Sequence, residues 1–163
     1  YIIGYPIGKM QTNKWLNRIK SILNGKSDSI CIYEGSQGDK EGKKALVIGE
    51  QMTACSLRQV LEEEFQYGKV DVASFFKMDK LLKAEGDFEI SEEAVLVELL
   101  KKREQYDLVI ADPLCFQLFP YEPKNKVEFP HIAVSSLLYL TQSKNLFAEK
   151  GSMYLKSVLK ETS

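Results

Sequence analysis

Few residues of this sequence have the chemistry that catalysis or metal binding requires. The chain has one histidine and three cysteines, which are His131, Cys31, Cys55 and Cys115. No two of them have the spacing of a metal site, and a single histidine would have to serve every role of a nucleophile-and-base pair. We therefore expect buried cysteines, a partly buried histidine, and no catalytic residue or metal ligand in this chain.

A second group of candidate residues lies where two apolar runs end. The runs ALVIG (45–49) and DLVIAD (107–112) are typical of parallel strands buried on both faces. Parallel strands bring their carboxyl ends to one edge of a sheet, and ligands bind there. The residues at this edge that we predict to contact a cofactor are Gly49, Glu50, Gln51, Met52 and Asp112.

The turn after the first run lacks the glycine pattern of a nucleotide site. GEQMTA has one glycine where the dinucleotide pattern G-x-G-x-x-G has three, and Glu50 would set a carboxylate against the phosphates. The phosphate-loop pattern G-x-x-x-x-G-K-[ST] is absent from the sequence. A plain strand-to-helix turn is therefore the favoured interpretation of this segment.

Asp112 suggests an alternative function, because receiver domains of signalling proteins carry a phospho-accepting aspartate at the end of a comparable strand. Such a site also needs an acidic pair for Mg²⁺ and a lysine at a later strand end. Only Glu50 is available after the first run. The other interpretation of Asp112-Pro113 is a turn in which the carboxylate caps backbone N–H groups. Both interpretations stay open at this point.

Hydrophobic periodicity predicts the elements that position these residues. Strands are predicted over 45–49, 69–74, 107–112 and 129–135, and helices over 12–23, 53–67, 91–103, 136–147 and 151–160. This alternation predicts an α/β, Rossmann-like domain of three layers, with a four-stranded parallel sheet of order 2-1-3-4. We expect residues 1–43 to form a helix and connecting segment that packs on the domain at 44–163.

Composition excludes several classes of protein. The formal net charge is -1, so the basic surplus of a nucleic-acid binder is missing. Sparse, unpaired cysteines favour a reducing compartment, and no apolar stretch is long enough to span a bilayer. We therefore expect a cytoplasmic protein without nucleic-acid or membrane partners. The opening YIIGYPIGKM is not a signal peptide and suggests a domain of a longer polypeptide.

Five segments, in order, resemble motifs of the nitrogenase component 1 family. That family includes molybdenum–iron proteins, their cofactor-scaffold relatives and dark-operative protochlorophyllide reductases. YPIGKMQTNKWLNRI is similar to its PIG-x-x-x-T-x-x-x-L segment, and GKKALVIGEQMTACSLRQVLEEEF to its entry into a Rossmann-like domain. YDLVIADP resembles the strand that follows. FPHIAVSS and GSMYLKSVLKE resemble its proline-marked strand and its closing G-x-x-x-x-L helix.

The resemblance implies a domain of a nitrogenase-like oxidoreductase or metallocofactor-assembly protein, which forms part of a cluster or substrate pocket and of a subunit interface. Gly49 matches the first glycine of a turn that offers N–H groups to the cofactor in some members, whereas Glu50 stands where a second glycine is common. No cysteine or histidine falls on the ligand motifs.

The resemblance also implies what this domain would need from elsewhere. We expect no cofactor in the chain itself, with an iron–sulfur or other metallocluster in the full-length protein. The implied partners are upstream domains, a second component 1 subunit and an ATP-dependent iron–sulfur reductase. The isolated domain is expected to be inactive.

Overall fold

Strands and helices alternate along the chain, as the hydrophobic pattern predicts. The computed structural model describes residues 5–25, 42–80, 82–101, 105–117, 125–129 and 145–161. The helices are α1 (Gly8–Leu23), α2 (Gln51–Glu64), α3 (Glu93–Lys101), α4 (Pro113–Gln117) and α5 (Ala148–Glu161). The strands are β1 (Lys44–Ile48), β2 (Lys69–Ser74), β3 (Phe88–Glu89), β4 (Leu108–Ala111) and β5 (Lys126–Glu128).

The strands form one sheet of order β3-β2-β1-β4-β5, in which every neighbouring pair is parallel. The predicted α/β class with a parallel sheet is confirmed, and the architecture is consistent with a Rossmann-like fold. The predicted four-stranded sheet of order 2-1-3-4 is wrong, since β3 adds a fifth strand beyond β2. A strand of two residues is too short to produce the alternation by which strands are found in a sequence.

The last strand also differs from its predicted position. The strand expected at 129–135 is replaced, beside β4, by β5 at Lys126–Glu128. Phe129 follows β5, and its N–H still donates to the Ala111 carbonyl at 2.8 Å. The remainder of the predicted strand, residues 130–135, lies outside the described residues. A segment with one buried residue, Val127, gives little periodic signal.

Both faces of the sheet are covered by helices. Ala45 and Val47 of β1 belong to one apolar cluster, which α2 and α5 complete, whereas Leu46 and Ile48 belong to a second cluster with α3. This alternation arises because successive side chains of a strand point to opposite faces. The described elements thus form the three layers that the sequence predicted.

Helix α1 begins at Gly8, four residues before the helix start predicted at residue 12. Thr12 lies inside the helix, where its hydroxyl donates to the Gly8 carbonyl at 2.6 Å and accepts the N–H of Ala148 at 3.0 Å. The side chain therefore links α1 to the start of α5. A threonine hydroxyl can cap the start of a helix or bond to a carbonyl inside it, so sequence alone could not separate these two roles.

Two glycines permit the close approach of α1 and α5. A Cβ on Gly151 would lie 2.8 Å from the Gly8 nitrogen and would overlap the Leu146 carbonyl. Gly8 itself has a φ of +73°, and a Cβ there would lie 3.0 Å from the Ser152 hydroxyl. Both positions therefore require glycine for packing, and Gly8 also for its backbone conformation.

Helices α2, α3 and α5 agree with prediction to within a few residues at the described ends, whereas the short helix α4 was not predicted. Helix α2 begins at Gln51 instead of residue 53, and α5 begins at Ala148 instead of residue 151. Of the helix predicted over 136–147, residues 136–144 lie outside the described residues and 145–147 are not helical. Among the helices that the structure describes, none combines the length and apolar content needed to cross a membrane.

Candidate functional site

The carboxyl ends of β1 and β4 meet where the chain changes direction across the sheet. Val47 pairs with Ile110 in parallel register, so Gly49 and Asp112 leave adjacent strands at the same edge. From β1 the sheet continues through β2 and β3 on one side, and through β4 and β5 on the other. This point is the topological switch at which open α/β sheets bind ligands.

A shallow recess with a cavity volume of about 10 Å³, partly open to solvent, lies at this switch point. It is lined by the ends of β1 and β4, by the first turns of α2 and by Phe129. The lining residues are Val47, Ile48, Gly49, Glu50, Thr53, Ala54, Leu57, Ile110 and Phe129. The lining is therefore mainly apolar, with one carboxylate and one hydroxyl at its mouth.

Glu50 uses its carboxylate to cap helix α2. It accepts the N–H of Met52 at 2.8 Å and that of Thr53 at 3.0 Å, together with the Thr53 hydroxyl at 3.0 Å. These are the backbone donors that a bound phosphate would otherwise use. The helix start is thus already occupied by a negative group, which makes it a poor phosphate site.

The space beside Gly49 in the recess is empty. A Cβ built on this residue meets no atom within 4 Å. Its N–H donates to the Ala73 carbonyl at 2.9 Å, so this amide is already used within the sheet. The space beside Gly49 could therefore admit a ligand, although its N–H is not available to one.

Gln51 and Met52 have different roles although they are neighbours. The buried Gln51 amide donates to the Asp79 carbonyl at 2.9 Å and accepts the Asp79 N–H at 2.6 Å. These two bonds hold the segment after β2 against the start of α2. Met52 is 40% exposed and has no comparable bond among the described contacts. Of the two, Met52 is the side chain available to a ligand.

Asp112 is buried and caps α4. Its carboxylate accepts the Leu114 N–H at 2.9 Å, and its carbonyl accepts the Cys115 N–H at 2.8 Å. Pro113 occupies the first helical position, where proline is favoured. The capping interpretation of Asp112 is confirmed, while phospho-acceptor and cofactor-binding roles stay predictions.

The two described cysteines are buried thiols. Burial raises the pKa of Cys115 to about 11, with Asp112 adding to the shift. Burial also raises the pKa of Cys55, an effect that the nearby Arg58 opposes. Both are therefore protonated at neutral pH and are poor metal ligands in this state. Within the described ranges no three His, Cys, Asp or Glu residues group as a metal site, and Cys31 and His131 fall outside those ranges.

A buried ion pair lies away from the recess and was missed by sequence reasoning. Arg58 of α2 donates to both carboxylate oxygens of Asp87, at 2.9 and 2.6 Å, and the two side chains are 2% and 0% exposed. The position of Arg58 carried a signal, because it lies four residues after the buried Ala54 and three before the buried Leu61. A charged residue on the buried face of a helix predicts a buried partner.

Sequence reasoning also missed part of the recess. Thr53, Ala54, Leu57, Ile110 and Phe129 contribute to its lining, although only the strand tips had been singled out. The helical periodicity that places Ala54 and Leu57 on the buried face of α2 could have identified two of them.

Comparison with known proteins gives no match to a family model, to a curated protein or to a solved structure. The resemblance to the nitrogenase component 1 family therefore depends on the sequence motifs alone.

Proposed function

We propose that this chain is a non-catalytic α/β domain of a nitrogenase-like component 1 oxidoreductase or metallocofactor-assembly protein. In this role it forms one wall of a cluster or substrate pocket. The observation that supports the proposal is the apolar recess at the switch point between β1 and β4. A wall of this kind contributes shape and excludes water, whereas the reacting groups come from a neighbouring domain.

The polar groups around the recess suit a wall better than an active centre. Glu50 and Asp112 use their carboxylates as helix caps, and Gln51 bonds to backbone. Groups already used in the fold are expensive to redirect toward a substrate. The open space beside Gly49 remains as the contact surface, whereas Gln51, Met52 and Asp112 are not among the residues that line the recess.

The motif residues of the resemblance have a common physical role in this fold. Gly8 and Thr12 of the PIG-x-x-x-T segment contact α5, whose Gly151 and Leu155 belong to the closing segment GSMYLKSVLKE, with three residues between them instead of the four of the family motif. Leu155 is 1% exposed. The two motifs are therefore joined in one packing contact, which gives a reason for both to occur in the same chain and supports the proposal.

The recess can be blocked without disturbing the fold. Gly49→Leu directs a side chain into open space, and Ala94→Leu adds bulk at an exposed position of α3 as a matched control. In the complete polypeptide that contains this chain, we expect Gly49→Leu to lower the iron content per chain and the visible absorbance at least about twofold, because an interior contact cannot absorb several extra heavy atoms. The control should match the unmodified protein.

Three results decide the proposal. The proposal is supported if the complete polypeptide contains iron, and if its iron content falls in Gly49→Leu but not in Ala94→Leu while circular dichroism is unchanged. A complete polypeptide without iron, or equal iron in both variants, contradicts it. Stoichiometric iron–sulfur on the isolated chain would also contradict it, because the domain would then hold the cluster with its own residues.

A further inference from the structure

Helix α1 packs on the rest of the protein through its first two turns. Gly8 donates its N–H to the Leu146 carbonyl at 2.9 Å, and the Lys9 N–H donates to the Ser152 hydroxyl at 2.9 Å. The buried residues of the helix are Gly8, Gln11 and Thr12. They recur at helical spacing and so define the face of α1 that contacts its neighbours.

Basic residues flank this packed face and pair with acids of the neighbouring helices. Lys14 contacts Glu63 of α2 at 2.6 Å, and Lys9 contacts Glu149 of α5 at 3.3 Å. Exposed pairs such as these add little stability, but they select the neighbour by charge. The first half of α1 therefore recognises apolar or small side chains that are flanked by acids.

The second half of α1 is apolar and only partly covered, since Trp15, Ile19 and Ile22 are half-buried. Trp15, Ile19 and Ile22 continue the packed face at helical spacing. Beside them, Leu16 is 48% exposed and Leu23 is 80% exposed. These five residues lie on one side of the helix, and we call them the α1 stripe.

Arg18 and Lys20 lie on the two sides of the α1 stripe, as helical spacing requires. Within the part of the chain that the structure describes, neither residue has a carboxylate partner. The second half thus has an apolar surface between two flanking cations, as the first half has flanking cations, but no acidic counterpart of Arg18 or Lys20 is present in the described part of the chain.

The charge of the helix argues against a second copy of the chain as the occupant. Helix α1 carries four basic residues and no acidic one. Packing one α1 stripe on another would bring these cations together, and juxtaposed like charges disfavour association. The α1 stripe also lies on the side of α1 that packs on α5, which suits an inserted helix better than a flat lipid surface.

We propose that the α1 stripe, with Arg18 and Lys20, is a docking surface for an acidic amphipathic helix of another polypeptide. The partner helix places its apolar residues on Trp15 and Ile19 and its carboxylates beside the two cations, as α2 and α5 do for the first half. This inference deepens the proposed function by naming a docking face of the domain. It does not involve the recess, so either proposal can fail alone.

Trp15 reports directly on occupation of this surface, because it is the only tryptophan in the chain. The probe is a synthetic amphipathic helical peptide with leucines along one face and glutamates on both flanks. Its twin carries lysine at every glutamate position. We expect the acidic peptide to shift Trp15 emission to shorter wavelength and to bind at least about tenfold more tightly than the basic twin.

Reversing the two cations should reverse this preference. In Arg18→Glu/Lys20→Glu the basic twin should become the tighter ligand, by about tenfold. The matched control is Asn13→Glu/Asn17→Glu, which adds the same two carboxylates on the exposed, opposite face of α1 and should keep the original preference. Circular dichroism checks that all variants retain their helices.

Other occupants give other results, and each overturns the proposal. Emission that shifts with protein concentration alone indicates a second copy of the chain. Emission that shifts with phosphatidylglycerol vesicles but not with the acidic peptide indicates a lipid surface. If acrylamide does not quench Trp15 fluorescence in the dilute, free protein, another segment of the same chain covers the α1 stripe. If both peptides bind with equal affinity, Arg18 and Lys20 do not select an acidic partner.

Discussion

The edge of the sheet at β3 and the recess at the switch point both use carboxylates to satisfy backbone amides, but only the recess is open. At the β3 edge, Asp87 accepts the Val72 N–H at 2.9 Å and the Ala84 N–H at 2.9 Å, and it pairs with Arg58. At the recess, Glu50 caps α2 and Asp112 caps α4.

The difference lies in what surrounds each carboxylate. Asp87 and Arg58 are sealed from water, so their charges neutralise each other inside the fold. Glu50 lies at the rim of an apolar recess that solvent enters. The buried Arg58–Asp87 pair therefore has a structural role. The candidate site is instead the open space near Glu50 and Asp112, whose carboxylates are already bonded within the fold. The predictions below test that contrast.

The largest effect is expected at the buried Arg58–Asp87 ion pair. Asp87→Ala leaves Arg58 buried without its counter-charge and two amides without their acceptor. We expect it to lower the free energy of unfolding by about 3–5 kcal/mol, measured by urea denaturation. Glu85→Ala, an exposed acid two residues away, should change it by no more than about 0.5 kcal/mol. Equal effects of the two changes would remove the contrast between buried and open carboxylates.

A matched pair of glycines compares a closed contact with the open recess. Gly151→Ala forces a methyl group against the Leu146 carbonyl and Gly8, and should cost about 1–3 kcal/mol. Gly49→Ala points into empty space with ordinary backbone angles, and should stabilise the fold by about 0.4–1 kcal/mol. Thermal unfolding of the two variants measures both effects. A costly Gly49→Ala would show that the recess is filled by the protein itself.

The cap of α2 should contribute less than either of these contacts. Glu50→Ala removes the acceptor of the Met52 and Thr53 amides, and we expect a cost of about 1 kcal/mol in urea denaturation. Glu50→Gln keeps one oxygen acceptor and should cost less than the alanine variant. If both variants cost the same, the negative charge at the helix start matters more than the hydrogen bonds.

The smallest effect is expected from the buried carboxyl of Asp71, and it depends on pH. Burial raises the pKa of Asp71 above its ordinary value of 3.8, although the Tyr106 hydroxyl, which donates to it at 2.8 Å, opposes the shift. The folded state therefore holds this proton more tightly than the unfolded state, and the ionised group costs stability above the raised pKa.

Asp71→Asn isolates that cost, since the amide oxygen can still accept from Tyr106 and carries no charge. The unfolding free energy of the variant minus that of the unmodified protein should be largest at neutral pH. It should fall as the pH is lowered through the raised pKa toward 3.8, because the unmodified protein then becomes neutral at this site. Urea denaturation at several pH values measures the difference. A difference that does not vary with pH would contradict the raised pKa.

The class of the fold, and the edge of the sheet at which the recess lies, were readable from the sequence. The runs at 45–49, 69–74 and 107–112 correspond to β1, β2 and β4, in the predicted parallel neighbourhood. A strand buried on both faces must be apolar throughout, so its signal is contained in about five consecutive residues. The cap at Asp112 was one of two interpretations of the sequence, because a carboxylate and the backbone amides that it caps are adjacent in the chain.

The tertiary structure alone decided which residues became partners across the fold. Arg58 and Asp87 are 29 positions apart, and Thr12 joins a helix that begins at Ala148. Likewise, the apolar pattern of α1 could not show that its buried residues, Gly8, Gln11 and Thr12, all lie in its first half. Periodicity specifies which side of an element is apolar, whereas the opposing surface depends on how distant segments pack.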